Sequence, residues 1–231
     1  MSEDRRKVLS MHQPNFLPWI GYFNKIQKSD VFVILDDVQI PRGKSVANRN
    51  KIKTAQGEME LVVPLSKPKG NEGKVTYKMA KIADNKWAKK ALKAIELNYK
   101  KAPYFDRYFP LITQLFSKKE FCQMNIDFIK FVLRELEVDT EVHLLSETEG
   151  PLGQKNELIE NLCKKFSANV YLSGKGASKY NDPDYLRKQG VELEYQEFVH
   201  PVYDQLHGDF IAYLSIVDLL MNKGPGSKNY V

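Results

Sequence analysis

The chain has 231 residues, 42% apolar and 28% charged, with a formal net charge of +6. That mixture suits one large globular core and excludes a disordered chain. The two cysteines, Cys122 and Cys163, stand far apart with no CxxC or Cys/His cluster, which excludes a disulfide framework and a structural zinc site.

Residues 1–7 are charged and lack an apolar signal region, and no apolar run approaches the ~20 residues that span a bilayer. A cytoplasmic protein without a membrane span is expected. Residues 7–11 read as a short buried strand. His12-Gln13-Pro14-Asn15-Phe16-Leu17-Pro18 follows as a loop whose two prolines delay regular structure until Trp19. Ile20, Phe23 and Ile26 then recur at helical spacing. Residues 30–35 form a continuous apolar run with β-branched residues, the pattern of a strand covered on both faces.

Residues 41–83 are punctuated by Gly43, Gly57, Gly70 and Gly73 and predict an irregular β excursion, a hairpin or flap, with strands near 59–65 and 75–77. From Asn85 to Glu137 the period becomes helical. Trp87, Ala91, Ala94, Ile95 and Asn98 share a face, residues 106–116 form a second helix whose start Pro110 should shift, and residues 121–136 form a third.

The last third alternates again. Strands are predicted at 141–145, 169–173 and 191–195, with helices at 156–166 and 182–189. Pro183 suits a first helical turn and Gly190 a stop. A closing helix over 210–222 and a polar tail over 224–231 complete the chain. The fold expected is a single α/β domain over residues 1–231. Its mainly parallel, Rossmann-like sheet is built from both ends of the chain, with a central β-flap (41–83) and a helical insertion (85–137).

Ligands of open α/β sheets bind beyond the carboxyl ends of the strands, so the loops there are the candidate site. His12, Gln13 and Asn15, with Tyr22 in the helix that follows, leave the first strand. A histidine between a strand and a helix can meet phosphate at the helix N-terminus. Asp36, Asp37 and Gln39 end the second strand, where acids orient a histidine, hold a cation or cap a turn. Asn48, Arg49, Asn50 and Lys51 add amides and a guanidinium fork suited to phosphate or carboxylate. Ser173, Gly174 and Lys175, with Ser178 and Tyr180, form a glycine turn that allows close backbone approach to a ligand, without P-loop spacing. His200 in a proline-fixed loop, with Tyr203 and Gln205, is a second candidate general base. His143 sits among apolar strand neighbours and reads as structural, and His207 as exposed. No GxSxG occurs, and nothing in these residues requires a metal.

Eleven lysines against three acids lie between Lys67 and Lys101, so the basic excess is one local patch without arginine. Readers of bases and phosphates use arginine forks and stacking aromatics. A solvated helix face explains the patch better than nucleic acid, and a small-molecule substrate is the partner expected.

These segments together resemble the WbqC-like protein family. The matching motifs are His12-Gln-Pro-Asn-Phe-Leu-Pro-Trp-Ile-Gly21 with Tyr22, Asp36-Asp-Val-Gln39 and Asn48-Arg-Asn-Lys-Ile52. Tyr99-Lys-Lys-Ala-Pro-Tyr-Phe105, Tyr171-Leu-Ser-Gly174, His200-Pro-Val-Tyr-Asp-Gln205 and Leu214-Ser-Ile-Val-Asp-Leu-Leu-Met-Asn222 follow. The resemblance implies a role in bacterial polysaccharide and O-antigen assembly, by transfer of glycine or another acyl group to an amino sugar. On that reading His12 or His200 deprotonates the amine, and Arg49 and Lys175 hold phosphate or carboxylate. Asp36 or Asp37 orients a histidine or binds a cation. ATP or a nucleotide sugar is the cofactor or substrate class implied. Two other readings are a non-catalytic sugar-nucleotide binder and a nucleic-acid binder using the lysine patch.

Overall fold

The computed structural model describes residues 6–41, 46–66, 75–84 and 86–231. The expectations for residues 1–5, Gly43, Gly70, Gly73 and Asn85, and for lysines 67, 69 and 74 of the basic patch, lie outside the described residues. The chain separates into two compact units, one of residues 1–12, 24–35 and 139–199, the other of residues 13–23, 36–138 and 200–231.

The first unit is a five-stranded, all-parallel sheet. Its strands are β1 (Val8–His12), β2 (Val31–Ile34), β5 (Glu141–Leu144), β6 (Val170–Ser173) and β7 (Glu192–Tyr195), in the order β5-β2-β1-β6-β7. Counted within the sheet this is 3-2-1-4-5, a doubly wound order that reverses between β1 and β6. Register follows the burial of the strands: Leu9 lies opposite Val31 and Tyr171, and all four residues of β2 are buried. The strands come from both ends of the chain, as the apolar runs implied.

Helix α1 (Ile20–Gln27) joins β1 to β2, and α5 (Asn156–Lys165) joins β5 to β6. Leu158, Ile159, Leu162 and Cys163 are the buried face of α5. Burial pushes the Cys163 thiol up to about 12, so it is an inert apolar filler. Helix α6 (Pro183–Lys188) starts with proline in its first turn. The Asp182 side chain accepts from the Tyr185 N–H at 3.0 Å, and Gly190 (φ 76°) follows the end.

The second unit holds the hairpin β3 (Arg49–Thr54) and β4 (Gly57–Val62), then α2 (Lys86–Tyr99), α3 (Phe105–Phe116), α4 (Phe121–Glu135) and α7 (Ile216–Lys223). Trp87, Ala91, Ile95 and Tyr99 are the buried stripe of α2, and Trp87 packs edge-on against Phe16 and tilted on Phe116. Lys86, Lys89, Lys90 and Lys93 are exposed on the other side of that helix.

Four local expectations are corrected. Helix α3 runs unbroken through Pro110, with Tyr108, Ile112, Leu115 and Phe116 buried around it, because packing offsets the lost hydrogen bond. Residues 75–77 make only a single bridge, Thr76 to Gln39, not a strand. Residues 210–215 are not helical: Tyr213 adopts φ 62°, and Ser215 caps α7 by accepting from the Val217 N–H. The tail is not merely polar, since residues 224–230 form a 3₁₀ helix with Gly224 and Ser227 buried. Among the described residues no helix is long and apolar enough to cross a membrane.

Candidate functional site

In the first unit the strand order reverses between β1 and β6, so their carboxyl ends border the crevice where open parallel sheets take ligands. His12 ends β1, half-buried, and its carbonyl accepts from the Leu35 N–H at 2.8 Å. Ser173 ends β6 buried, and its hydroxyl accepts from Asn181 Nδ2 at 2.9 Å. Gly174 leads into a turn in which Lys175 and Ser178 are exposed, and Tyr180 is exposed beyond it. This turn is tied to the start of α5: Asn156 Nδ2 donates to the Tyr180 carbonyl, and its side-chain oxygen accepts from the Asp182 N–H. His12, Ser173, Gly174 and Lys175 therefore lie at neighbouring strand ends. His143 pairs with Glu141 at 2.7 Å and packs on Phe166. A hollow of about 770 Å³ opens at the opposite, amino-terminal end of β6 and β7. Its Arg6 is taken up by Glu194, whose two carboxylate oxygens each stand 2.7 Å from Arg6 Nη2, so its chemistry is that of a surface ion pair.

The remaining candidates belong to the second unit, where they form two groups. The first is the proline loop and its braces. Asn15 N–H donates to the Gln13 carbonyl, the Tyr22 hydroxyl donates to the same carbonyl at 3.1 Å, and Asn125 Nδ2 donates to the Pro14 carbonyl. Leu17 holds φ 43°, and Asn50 Nδ2 donates to its carbonyl at 2.5 Å, so Asn50 braces a strained turn. Asn48 Nδ2 donates to the Val63 carbonyl, while Arg49 and Lys51 form ion pairs across the hairpin with Glu60 and Glu58. Asp36 is buried, and Asp37 and Gln39 are exposed, so the two acids present to different surroundings. Burial, then the charge of Asp36, pushes the nearby Cys122 thiol up to about 12. Among the described residues no cluster of three or more His, Cys, Asp or Glu could hold a metal.

The second group surrounds His200. Its ring lies 6.4 Å from Trp19, 5.5 Å from Phe210, 5.4 Å from Tyr213 and 6.5 Å from Tyr203, with Nδ1 2.9 Å from the Pro201 carbonyl. Trp19 folds over Gly21, where a Cβ would stand 2.3 Å from the indole. Beneath the rings is a buried polar network. Asp218 accepts from Tyr99 Oη at 2.8 Å and Tyr203 Oη at 2.9 Å. Burial raises its pKa, and the two hydroxyls and the charge of Lys53 act against that rise. Lys53 Nζ donates to the carbonyls of Gly208 and Asp209, and Gln205 donates to and accepts from the backbone of Ile211. This network holds the irregular 200–215 segment in place. Trp19, Phe210, Tyr213, Lys53 and Asp218 are not among the candidate site residues singled out from sequence: the aromatic ones read equally well as core, and the burial of Lys53 and Asp218 is set by partners distant in the chain.

The fold defines an α/β protein of the open parallel-sheet class. The chain belongs to the WbqC-like protein family, whose model matches residues 13–230. It is 28% identical over 229 residues, 97% of either chain, to the uncharacterised protein Rv1507c of Mycobacterium tuberculosis (strain ATCC 25618 / H37Rv). No solved structure matches it.

Proposed function

We propose that this protein transfers an acyl or aminoacyl group to a nucleotide-linked amino sugar in the cytoplasmic stage of bacterial surface-polysaccharide assembly. One observation carries the reading: His12 and the Ser173–Lys175 turn leave adjacent strands where the order of a parallel sheet reverses. Such an edge suits a phosphate-bearing ligand. Membership of the WbqC-like family supports the polysaccharide setting.

In the proposed step the sugar amine attacks the carbonyl carbon of an activated acyl donor. The C–N bond forms, the bond to the leaving group breaks with its electron pair, and His12 takes the proton lost by the amine. Lys175 and Ser178 hold phosphate. ATP is the reactant that would activate a free acid. His12 is preferred to His200 because it ends β1, beside the β6 turn where the strand order reverses.

The test is His12→Ala in an amino-sugar acylation assay with a nucleotide-linked amino sugar. Loss of general-base catalysis lowers turnover by about 10²–10⁴-fold. Unchanged turnover removes the role. A ligand-induced rise in melting temperature without product in the wild type would favour binding without catalysis.

A further inference from the structure

Lys25, in the last turn of α1, is buried with 3% of its surface exposed. Its Nζ donates to the Met11 carbonyl at 2.9 Å, which is its one polar partner among the described residues. Among the described residues no carboxylate pairs with it. Removing an ammonium from water without a counter-charge is strongly unfavourable, so such a lysine is retained against stability. Burial alone brings its pKa from 10.5 down to about 7, leaving the amine near the balance between charged and neutral.

The direction of the Met11 carbonyl locates this amine. Carbonyls along a strand point alternately to its two neighbours. The His12 carbonyl is taken on the β2 side by the Leu35 N–H, so the Met11 carbonyl faces β6. Pairing of β1 with β6 ends at Ser10 opposite Leu172, one residue earlier. The Lys25 amine therefore sits where these two strands part, at the crevice set by the reversal of strand order. Ser29, one turn along from Lys25, donates its hydroxyl to the Lys25 carbonyl at 2.8 Å and accepts from the Ser10 hydroxyl at 2.6 Å, fixing the helix end against β1.

We propose that Lys25 is an oxyanion-binding residue, whose amine receives a phosphate or carboxylate of the ligand between the carboxyl ends of β1 and β6. This rests on the reading of that crevice as the ligand site and adds a buried cation to the exposed Lys175 of that reading. A lysine suits the task because its charge state adjusts to an arriving anion, whereas a guanidinium stays charged throughout.

The experiment is isothermal titration of the full chain at pH 7 with inorganic pyrophosphate and, separately, with acetate. It compares the wild type with Lys25→Met, His12→Ala and Ser173→Ala. Pyrophosphate binding at least tenfold weaker in Lys25→Met, with a melting temperature no lower than that of the wild type, supports a phosphate partner. The same loss confined to acetate supports a carboxylate. Lys25→Gln, which keeps a donor for the Met11 carbonyl, reads the same loss should the thioether disturb packing. Wild-type affinity in both Lys25 variants, with weakened binding in His12→Ala or Ser173→Ala, overturns the role of Lys25 and leaves the crevice reading standing. Failure of the wild type to bind either anion overturns both.

Discussion

Among the described residues each compact unit buries one lysine, and the two are treated in opposite ways. Lys53 of the second unit donates to two carbonyls and lies within electrostatic reach of Asp218, which is itself satisfied by two tyrosine hydroxyls. Lys25 of the first unit has, among the described residues, one carbonyl and no acid. A compensated buried charge is a structural device that orders the 200–215 segment. An uncompensated one weakens the fold, a cost that an anionic ligand would offset. The same residue type thus reads as scaffold in one unit and as site in the other, and the difference lies entirely in its partners.

The contrast is open to attack from both sides. Asp218→Ala strips Lys53 of its counter-charge and two tyrosines of their acceptor. A loss of about 3–5 kcal/mol in denaturant-measured stability is expected; a loss under about 1 kcal/mol would make the network ornamental. Lys25→Met should move the other way, stabilising the protein at pH 7 by on the order of 3 kcal/mol. The sign of its pH dependence follows from a folded pKa of about 7 below the ordinary 10.5. Between those values the unfolded chain binds more protons than the folded one, so wild-type stability climbs with pH across that window. The gap between wild type and Lys25→Met narrows accordingly, and a constant gap from pH 7 to 10 would show that the amine is not held near neutrality.

Smaller effects sharpen the picture around the ring cluster. Gly21→Ala places a methyl 2.3 Å from the Trp19 indole and should cost about 1–3 kcal/mol as the ring is displaced. Altered near-ultraviolet circular dichroism of the tryptophan would accompany it. Smallest of all is the Arg49–Glu60 pair. A double-mutant cycle there should give under about 1 kcal/mol, since the Glu60 side chain is 45% exposed. A larger coupling would show that Arg49 is committed to the hairpin and unavailable to a ligand.

Much of this molecule was legible before any coordinates. The buried runs of β1, β2 and β6, the amphipathic faces of α2 and α5, and the Asp182–Pro183 start of α6 all follow from periodicity and capping. Those signals arise from residues within a turn or two of one another, so a linear reading captures them. The prolines around residues 12–18 likewise announced a loop, and the WbqC-like motifs were visible as written. Strand β3 was not legible as a strand. Its sequence Arg49-Asn-Lys-Ile-Lys-Thr54 is polar, and it forms because Lys53 finds carbonyls at Gly208 and Asp209 and a Tyr99 hydroxyl for its N–H. The helical period over 210–215 failed for a related reason. Bonds between the Gln205 side-chain amide and the Ile211 backbone, and from the Ser215 N–H to the Lys51 carbonyl, outweigh local helix preference there.

Sequence alone therefore determined the class of fold, the identity of the loops at the strand ends and the family. Tertiary structure alone decided which polar residues are spent on holding the fold and which are left with capacity for a ligand. The physical reason is that a side chain's desolvation depends on partners more than a hundred residues away, as between Tyr99 and Asp218. Lys25 and Lys53 are the same letter in the chain; only their surroundings separate an incomplete charge from a satisfied one.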